Sequence, residues 1–140
     1  MQRVDLAEIL QIERTSFPSP WPRSAFDLAI AAPDLLSVVV ADDRLLGYLI
    51  GCPDDGFLLI ANVAVHRRAR RRGLGQQLVQ AAIDRAHELQ LDGCALDVRM
   101  TNKVAQRLYD RLGFAPVGVR RNYYEQPAED ALHMRLQFYR

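Results

Sequence analysis

Five arginines fall within six positions, Arg67-Arg68-Ala69-Arg70-Arg71-Arg72, and Gly73 and Gly75 follow at once. The segments on either side restrict what such a run can be. Before it stands Phe57 to Val65, apolar and rich in β-prone residues. After it, apolar residues recur at 74, 78, 82, 86 and 89, a helical period held for about four turns. A strand therefore leads through a basic loop and two glycines into a helix. The first N–H groups of a helix have no internal partner and carry partial positive charge. Glycines beside them let a ligand come close to the backbone, and a phosphate suits such a place.

Several structures fit this pattern. A solvated basic turn before a surface helix is the plainest. A dinucleotide fingerprint, G-x-G-x-x-G, fails at its third glycine, where Leu78 stands, although Asp97 lies about twenty residues on. A nucleotide-hydrolase phosphate loop is excluded, because no Lys-Ser or Lys-Thr follows the glycines. A pyrophosphate cradle of the R/Q-x-x-G-x-G/A type fits Arg70-Arg71-Arg72-Gly73-Leu74-Gly75.

The 140 residues suffice for one domain, 1–140, with one core. The net charge is +1, so the molecule as a whole is not steered to polyanions. That weighs against a nucleic-acid-binding module and leaves the arginine run to a local ligand or partner. Lys103 is the only lysine, a bias to which no chemistry is assigned. Cys52 and Cys94 stand far apart, and with three scattered histidines they offer no metal spacing. No metal is expected, and the cysteines read as buried reduced thiols. With no signal peptide and no apolar run near twenty residues, the expectation is a cytoplasmic protein that does not enter a membrane.

Along the chain, Leu6, Ile9, Leu10 and Ile12 predict a short helix, with Asp5 placed to cap it. The prolines from Pro18 to Pro22 break it. Ser24 to Ile30 predicts a second helix. Leu36 to Ala41 and Leu45 to Cys52 predict a hairpin, and Pro53-Asp54-Asp55-Gly56 a turn. The Phe57 strand and long helix follow, then a β-like segment, Cys94 to Arg99. A crossover of this kind makes a parallel strand pair. Asn102 can cap another helix, which Gly113 can end. Two strands close the chain, near Ala115 to Arg121 and Ala131 to Phe138. The order ααβββαβαββ predicts an α/β mixed sheet with helices on both faces.

That order, with the glycine loop, resembles the GNAT acetyltransferases. Leu96-Asp97-Val98-Arg99-Met100-Thr101-Asn102 and Leu108-Tyr109-Asp110-Arg111-Leu112-Gly113-Phe114 look like the second half of that family's active site. Arg120-Arg121-Asn122-Tyr123-Tyr124 with Glu129-Asp130-Ala131 resembles the bacterial RimI group, as do Ile12-Glu13, Phe17 and Pro20-Trp21. RimI proteins acetylate the N-terminal alanine of small-subunit ribosomal protein eighteen. The resemblance implies acetyl-CoA as cosubstrate and a protein N-terminus as partner. Val63, Ala64 and Val65 would lend backbone groups to the pantetheine arm. Arg70, Arg71, Arg72, Gly73, Leu74, Gly75 and Gln76 would hold the pyrophosphate, and Asn102 the cofactor arm. Tyr109 matches the general acid. The general base falls on Asp97, where the group has glutamate. Glu13, Trp21, Tyr123 and Tyr124 would line the substrate side.

Each residue also has a plainer role open to it. Asp97 can be a solvated strand-end carboxylate, Tyr109 core packing, Asn102 only an N-cap, and the tyrosine pair ordinary strand residues. The family normally begins with a strand before its first helix. Met1 to Val4 is too short for one, so that strand is truncated or the start lies upstream. A GNAT enzyme for a small amine or a lysine side chain, and a non-enzymatic binding module for ribosome or nucleic acid, are the competing functions.

Overall fold

The structure, a computed structural model, describes residues Met1–Tyr139. Its elements are α1 (Leu6–Ser16), α2 (Arg23–Ala31), β1 (Leu36–Ala41), β2 (Leu45–Asp54), β3 (Phe57–Val65), α3 (Leu74–Glu88), β4 (Gly93–Arg99), α4 (Lys103–Arg111), β5 (Ala115–Glu125) and β6 (Ala128–Gln137). The order is ααβββαβαββ, as the sequence predicts. The strands form one sheet, β1-β2-β3-β4-β6-β5. Only β3 and β4 run parallel; the other neighbours are antiparallel.

Strand alternation distributes side chains to two apolar layers. Leu49, Leu58, Ile60, Leu96 and Val98 meet Leu78, Val79, Ala82, Ile83 and Ala86 of α3, with Tyr109 of α4 and Phe114. On the other face Tyr48, Ile50 and Ala64 meet Ile9 and Ile12 of α1 and Phe26 and Ala29 of α2. Helices therefore cover both faces.

Several boundaries differ from the sequence reading, each for a local reason. The β2–β3 turn is shorter than Pro53–Gly56. Asp55 and Gly56 alone take positive φ, 49° and 85°, the two-residue Asp-Gly hairpin turn, and the strands pair out to Asp54 and Phe57. Asp5 does not cap α1 with its side chain; its carboxylate accepts from the Gln2 N–H at 2.7 Å, inside a preceding 3-10 turn. Leu89 lies past the end of α3 and is 40% exposed. The last hairpin is longer than expected, because β5 reaches Glu125 and β6 starts at Ala128. No strand precedes α1 among the described residues.

Two irregularities decide where a site can form. In the β2–β3 ladder Ile50 faces Asn62 but Gly51 faces Ile60, so Ala61 is an extra residue. Such a bulge reverses the alternation. Leu58 and Ile60 face α3 before it, and Val63 and Val65 face α3 after it. Beside the bulge, pairing between β3 and β4 stops at Ile60–Leu96. Beyond that point β3 pairs only with β2, and β4 only with β6.

Gly93 holds β4 against β6 at the closed end of this split. A Cβ there would stand 1.9 Å from the Leu136 carbonyl oxygen. Gly93→Ala should therefore cost about 3 kcal/mol through overpacking, a fall of roughly 10 °C in Tm. Thermal unfolding followed by circular dichroism checks this, and an unchanged midpoint would contradict it.

Candidate active site

The split leaves a cleft of about 290 Å³ between β3 and β4. Ala61, Asn62 and Val63 line one wall; Asp97, Val98 and Arg99 line the other. Tyr109 and Asn102 reach it from α4 and its cap, Phe17 and Trp21 from the α1–α2 loop, and Tyr124 from β5. Of the sequence-predicted residues, the cleft brings together Glu13, Trp21, Val63, Asp97, Asn102, Tyr109 and Tyr124. Along β3, residues 62–65 pair with β2 by one edge and have no β4 partner on the other. That edge offers backbone groups to an extended ligand, as an added strand would use them.

The arginine loop continues from the open end of β3. Arg67–Ala69 forms a 3-10 turn, capped by His66 Nδ1, which accepts from the Arg68 N–H at 3.1 Å. Arg70 folds back: its Nε donates to the Val65 carbonyl at 3.2 Å, and its Nη2 meets Ser16 Oγ at 3.5 Å. Its guanidinium thus braces the loop against β3 and α1. Arg71 and Arg72 are exposed. Arg71 and Gly73 both take left-handed backbone, φ 68° and 75°, a conformation that turns successive N–H groups toward one concavity. Gly73 precedes α3 without any side-chain cap, so no capping side chain takes up the first N–H groups of that helix. The two glycines differ. A Cβ on Gly73 would meet nothing within 4 Å, whereas one on Gly75 would lie 3.3 Å from Leu108 Cδ2. Gly75 therefore serves the approach of α4 to α3.

Asp97 sits on the face of β4 opposite Leu96 and Val98, at the point where β3 has left. Its Oδ1 accepts from Arg120 Nε at 2.9 Å and lies 2.9 Å from His133 Nδ1. Its side chain is only 12% exposed, so it is not the freely solvated carboxylate that strand ends often carry. Tyr109 is buried, and burial first, then Tyr124, pushes its phenol up to about 12. Tyr124 is likewise pushed up to about 12, by burial and then by the negative charge of Asp97. The Arg99 guanidinium lies 4.1 Å from the centre of the Tyr124 ring. Tyr123 packs edge-on against Tyr124 at 5.1 Å and is half exposed. Asn102 does cap α4, its Oδ1 accepting from the Ala105 N–H at 3.2 Å.

Glu13 is fully buried, and both its oxygens are occupied. Oε2 accepts from the Trp21 N–H at 2.9 Å. Oε1 accepts from Asn62 Nδ2 at 2.9 Å and from the Tyr48 hydroxyl. The carboxylate thus ties the α1–α2 loop to β2 and β3, and its contribution to the cleft is to hold Trp21 in place.

Sequence reasoning missed a second clasp. Glu129 Oε2 accepts from the Thr101 N–H and hydroxyl at 2.7 and 2.6 Å, and Arg99 Nη1 donates to its Oε1 at 3.2 Å. The Thr101 bonds hold the Glu129 carboxyl below the usual range. Arg99 also donates to the carbonyls of Pro127 and Gln126. Ser19 donates to the same Gln126 carbonyl, which joins the α1–α2 loop to the β5–β6 turn. The alternation of His133 and Arg135 with Leu132, Met134 and Leu136 marks the polar face of β6. Only the strand register reveals which residues of β4 they meet.

Residues 6–114 match the family model described as Acetyltransferase (GNAT) family. The [ribosomal protein bS18]-alanine N-acetyltransferase of Salmonella typhimurium is 35% identical over 141 residues, covering 97% of this chain and 93% of that protein. The corresponding Escherichia coli enzyme is 30% identical over the same shares. A crystal structure of the ribosomal-protein-S18-alanine N-acetyltransferase from Escherichia coli superposes with a TM-score of 0.88, at 27% identity, covering 100% of this chain and 92% of that one. Arabidopsis thaliana NAA60 in complex with acetyl-CoA shares the fold, with a TM-score of 0.85 at 20% identity, covering 99% of this chain and 96% of that one.

Proposed function

The chain belongs to the GNAT family and is an acetyl-CoA-dependent N-acetyltransferase; from that premise we propose that it acetylates the N-terminal α-amine of a protein, an alanine terminus before others. The observation that carries this reading is the cleft itself. It presents a carboxylate, Asp97, and a phenol, Tyr109, in one split between β3 and β4. The full-length likeness to bS18-alanine N-acetyltransferases supports a ribosomal-protein terminus as the target, and such a substrate is made in the cytoplasm. Among the described residues no helix is long and apolar enough to cross a membrane.

Acetyl-CoA supplies a thioester carbonyl. The unpaired edge of β3 at Val63, Ala64 and Val65 suits the amides of its pantetheine arm. The uncapped start of α3, with Arg71, Arg72 and the backbone from Gly73 to Gln76, suits its pyrophosphate. Asn102 lines the cleft, where it would meet that arm. The amine nitrogen then bonds to the carbonyl carbon as the carbon–sulfur bond breaks. The amine proton passes to Asp97, and Tyr109 gives its proton to the leaving sulfur. Asp97 is one methylene shorter than the group's glutamate, so a water carries the proton to it.

The raised phenol of Tyr109 suits this role. At about 12 it stays protonated at the pH values where an α-amine first becomes neutral.

The amine's own chemistry favours a terminus. An α-amino group near 7.7–8.0 is about 10–20% neutral at pH 7, and a lysine near 10.4 only about 0.04%. Deprotonation costs roughly 1 kcal/mol for the first and over 4 for the second. A short carboxylate acting through water suits the first.

Four measurements test this. Gln76→Glu places an acid in the first turn of α3, which favours the helix but repels a pyrophosphate; the acetyl-CoA KM should rise roughly tenfold with Tm unchanged. An unaltered KM would contradict the cradle. Tyr109→Phe should lower kcat about 10²-fold with acetyl-CoA binding retained, and the wild-type rate should show no loss of its acid up to pH ~10. A near-normal kcat would return Tyr109 to core packing. Peptides differing in first residue and each carrying an internal lysine, read by tandem mass spectrometry, should be acetylated at the α-amine, alanine first. Asp97→Asn should shift the rate profile to higher pH without abolishing activity, since free neutral amine still attacks. Preference for lysine would overturn the substrate, and an unmoved profile would overturn the base.

A further inference from the structure

Asp97 and His133 are direct partners in the antiparallel β4–β6 ladder. The imidazole Nδ1 lies 2.9 Å from Asp97 Oδ1. Arg120 Nε, from β5, donates to the same oxygen at 2.9 Å. Two neighbours on two strands thus converge on one oxygen, while Asp97 itself lines the cleft. His133 is 13% exposed, Asp97 12% and Arg120 51%. The histidine bond is the sheltered one; the arginine bond is open to solvent screening. A carboxylate only accepts, so Nδ1 donates to Asp97 in the tautomer that carries its proton there; Arg120 Nη2 lies 3.5 Å from the same nitrogen.

We infer that His133 is a positioning residue for the reaction, locking Asp97 through Oδ1 so that Oδ2 is offered to the amine or its bridging water. His133 is not among the residues that line the cleft, so it acts through Asp97. The need arises from the side chain's length. A carboxylate that works through a water depends on one oxygen staying in one place, and a small misplacement of a proton acceptor is costly in rate. Asp97 follows Leu96, the last residue that pairs with β3. The fixing contacts therefore come from the other side of β4, from β6 and β5. The inference rests on the reading of Asp97 as base, and its test separates the two.

The experiment compares steady-state kinetics of the wild type, Asp97→Asn, His133→Leu, their double variant, His133→Asn and His133→Gln on an N-terminal alanine peptide. His133→Leu should lower kcat by about 10- to 100-fold, with the acetyl-CoA KM within about twofold of the wild type. Asparagine can put an N–H where Nδ1 stands and should restore most of the rate; glutamine reaches past that point and should not. In the Asp97→Asn background His133→Leu should cause no further loss, because its target is gone. Equal losses in both backgrounds, equal rates for the asparagine and glutamine variants, or a wild-type rate for His133→Leu would each overturn the role. The asparagine–glutamine contrast stands if the leucine variant does not fold. An Asp97→Asn enzyme indistinguishable from the wild type would instead overturn the base, and the role of His133 with it.

Discussion

The bulge at Ala61 and the parting of β3 from β4 next to it govern the rest of the molecule. A regular ladder would carry β3 alongside β4 to its end and close the sheet. An extra residue increases local twist and bends the strand that holds it, and β3 leaves β4 at Ile60–Leu96. The change of alternation also turns Asn62 away from the α3 layer, toward α1. There it meets Glu13. A buried carboxylate is tolerable only when its lone pairs are taken up. Asn62, Tyr48 and the Trp21 N–H do so, and the Tyr48 hydroxyl is made a much weaker acid by burial and by this neighbour. Glu13 thereby fastens the α1–α2 loop to the strands that open. A cleft that needs one wall to part also needs the other walls fixed, and one carboxylate meets that need at three elements.

The order of elements was legible because it rests on local signals. Periodicity distinguishes α3 from β3, prolines end α1, and Gly113 turns α4 at φ 99°. Tyr109, Asn102 and Asp97 were legible because they lie in short strings, and the cleft brings them together with Trp21 and Tyr124. What was hidden depends on register. Nothing local states that Asp97 faces His133, or that Glu129 turns back to Thr101 and Arg99. A one-residue slip of β6 would send His133 to the apolar face. Gly75 is the opposite lesson: its position in the motif suggests ligand approach, yet its surroundings show a contact with Leu108.

The arginine run divides the same way. As a string it is a block of charge. In the structure Arg70 is framework, bonded to Val65 and Ser16, while Arg71 enters through its backbone, which with Gly73 sets the left-handed turns before α3. A non-glycine residue holds such a conformation at a cost. The cost is offset where the turned N–H groups meet an anion. Charge in this loop is thus less informative than backbone shape, while the guanidiniums of Arg71 and Arg72 stay exposed.

Burial links the two chemical groups of the cleft. Excluding water strengthens every hydrogen bond and charge contact within it, and it also makes each acid weaker. Tyr109 carries the full effect, since desolvation leads the causes that raise it and the Tyr124 phenol comes next. Asp97 is placed differently: Arg120 and His133 sit on its Oδ1. One side of the split thus carries a buried phenol and the other a carboxylate with two side-chain partners. In this chain that difference comes from strand register on one side and helix burial on the other.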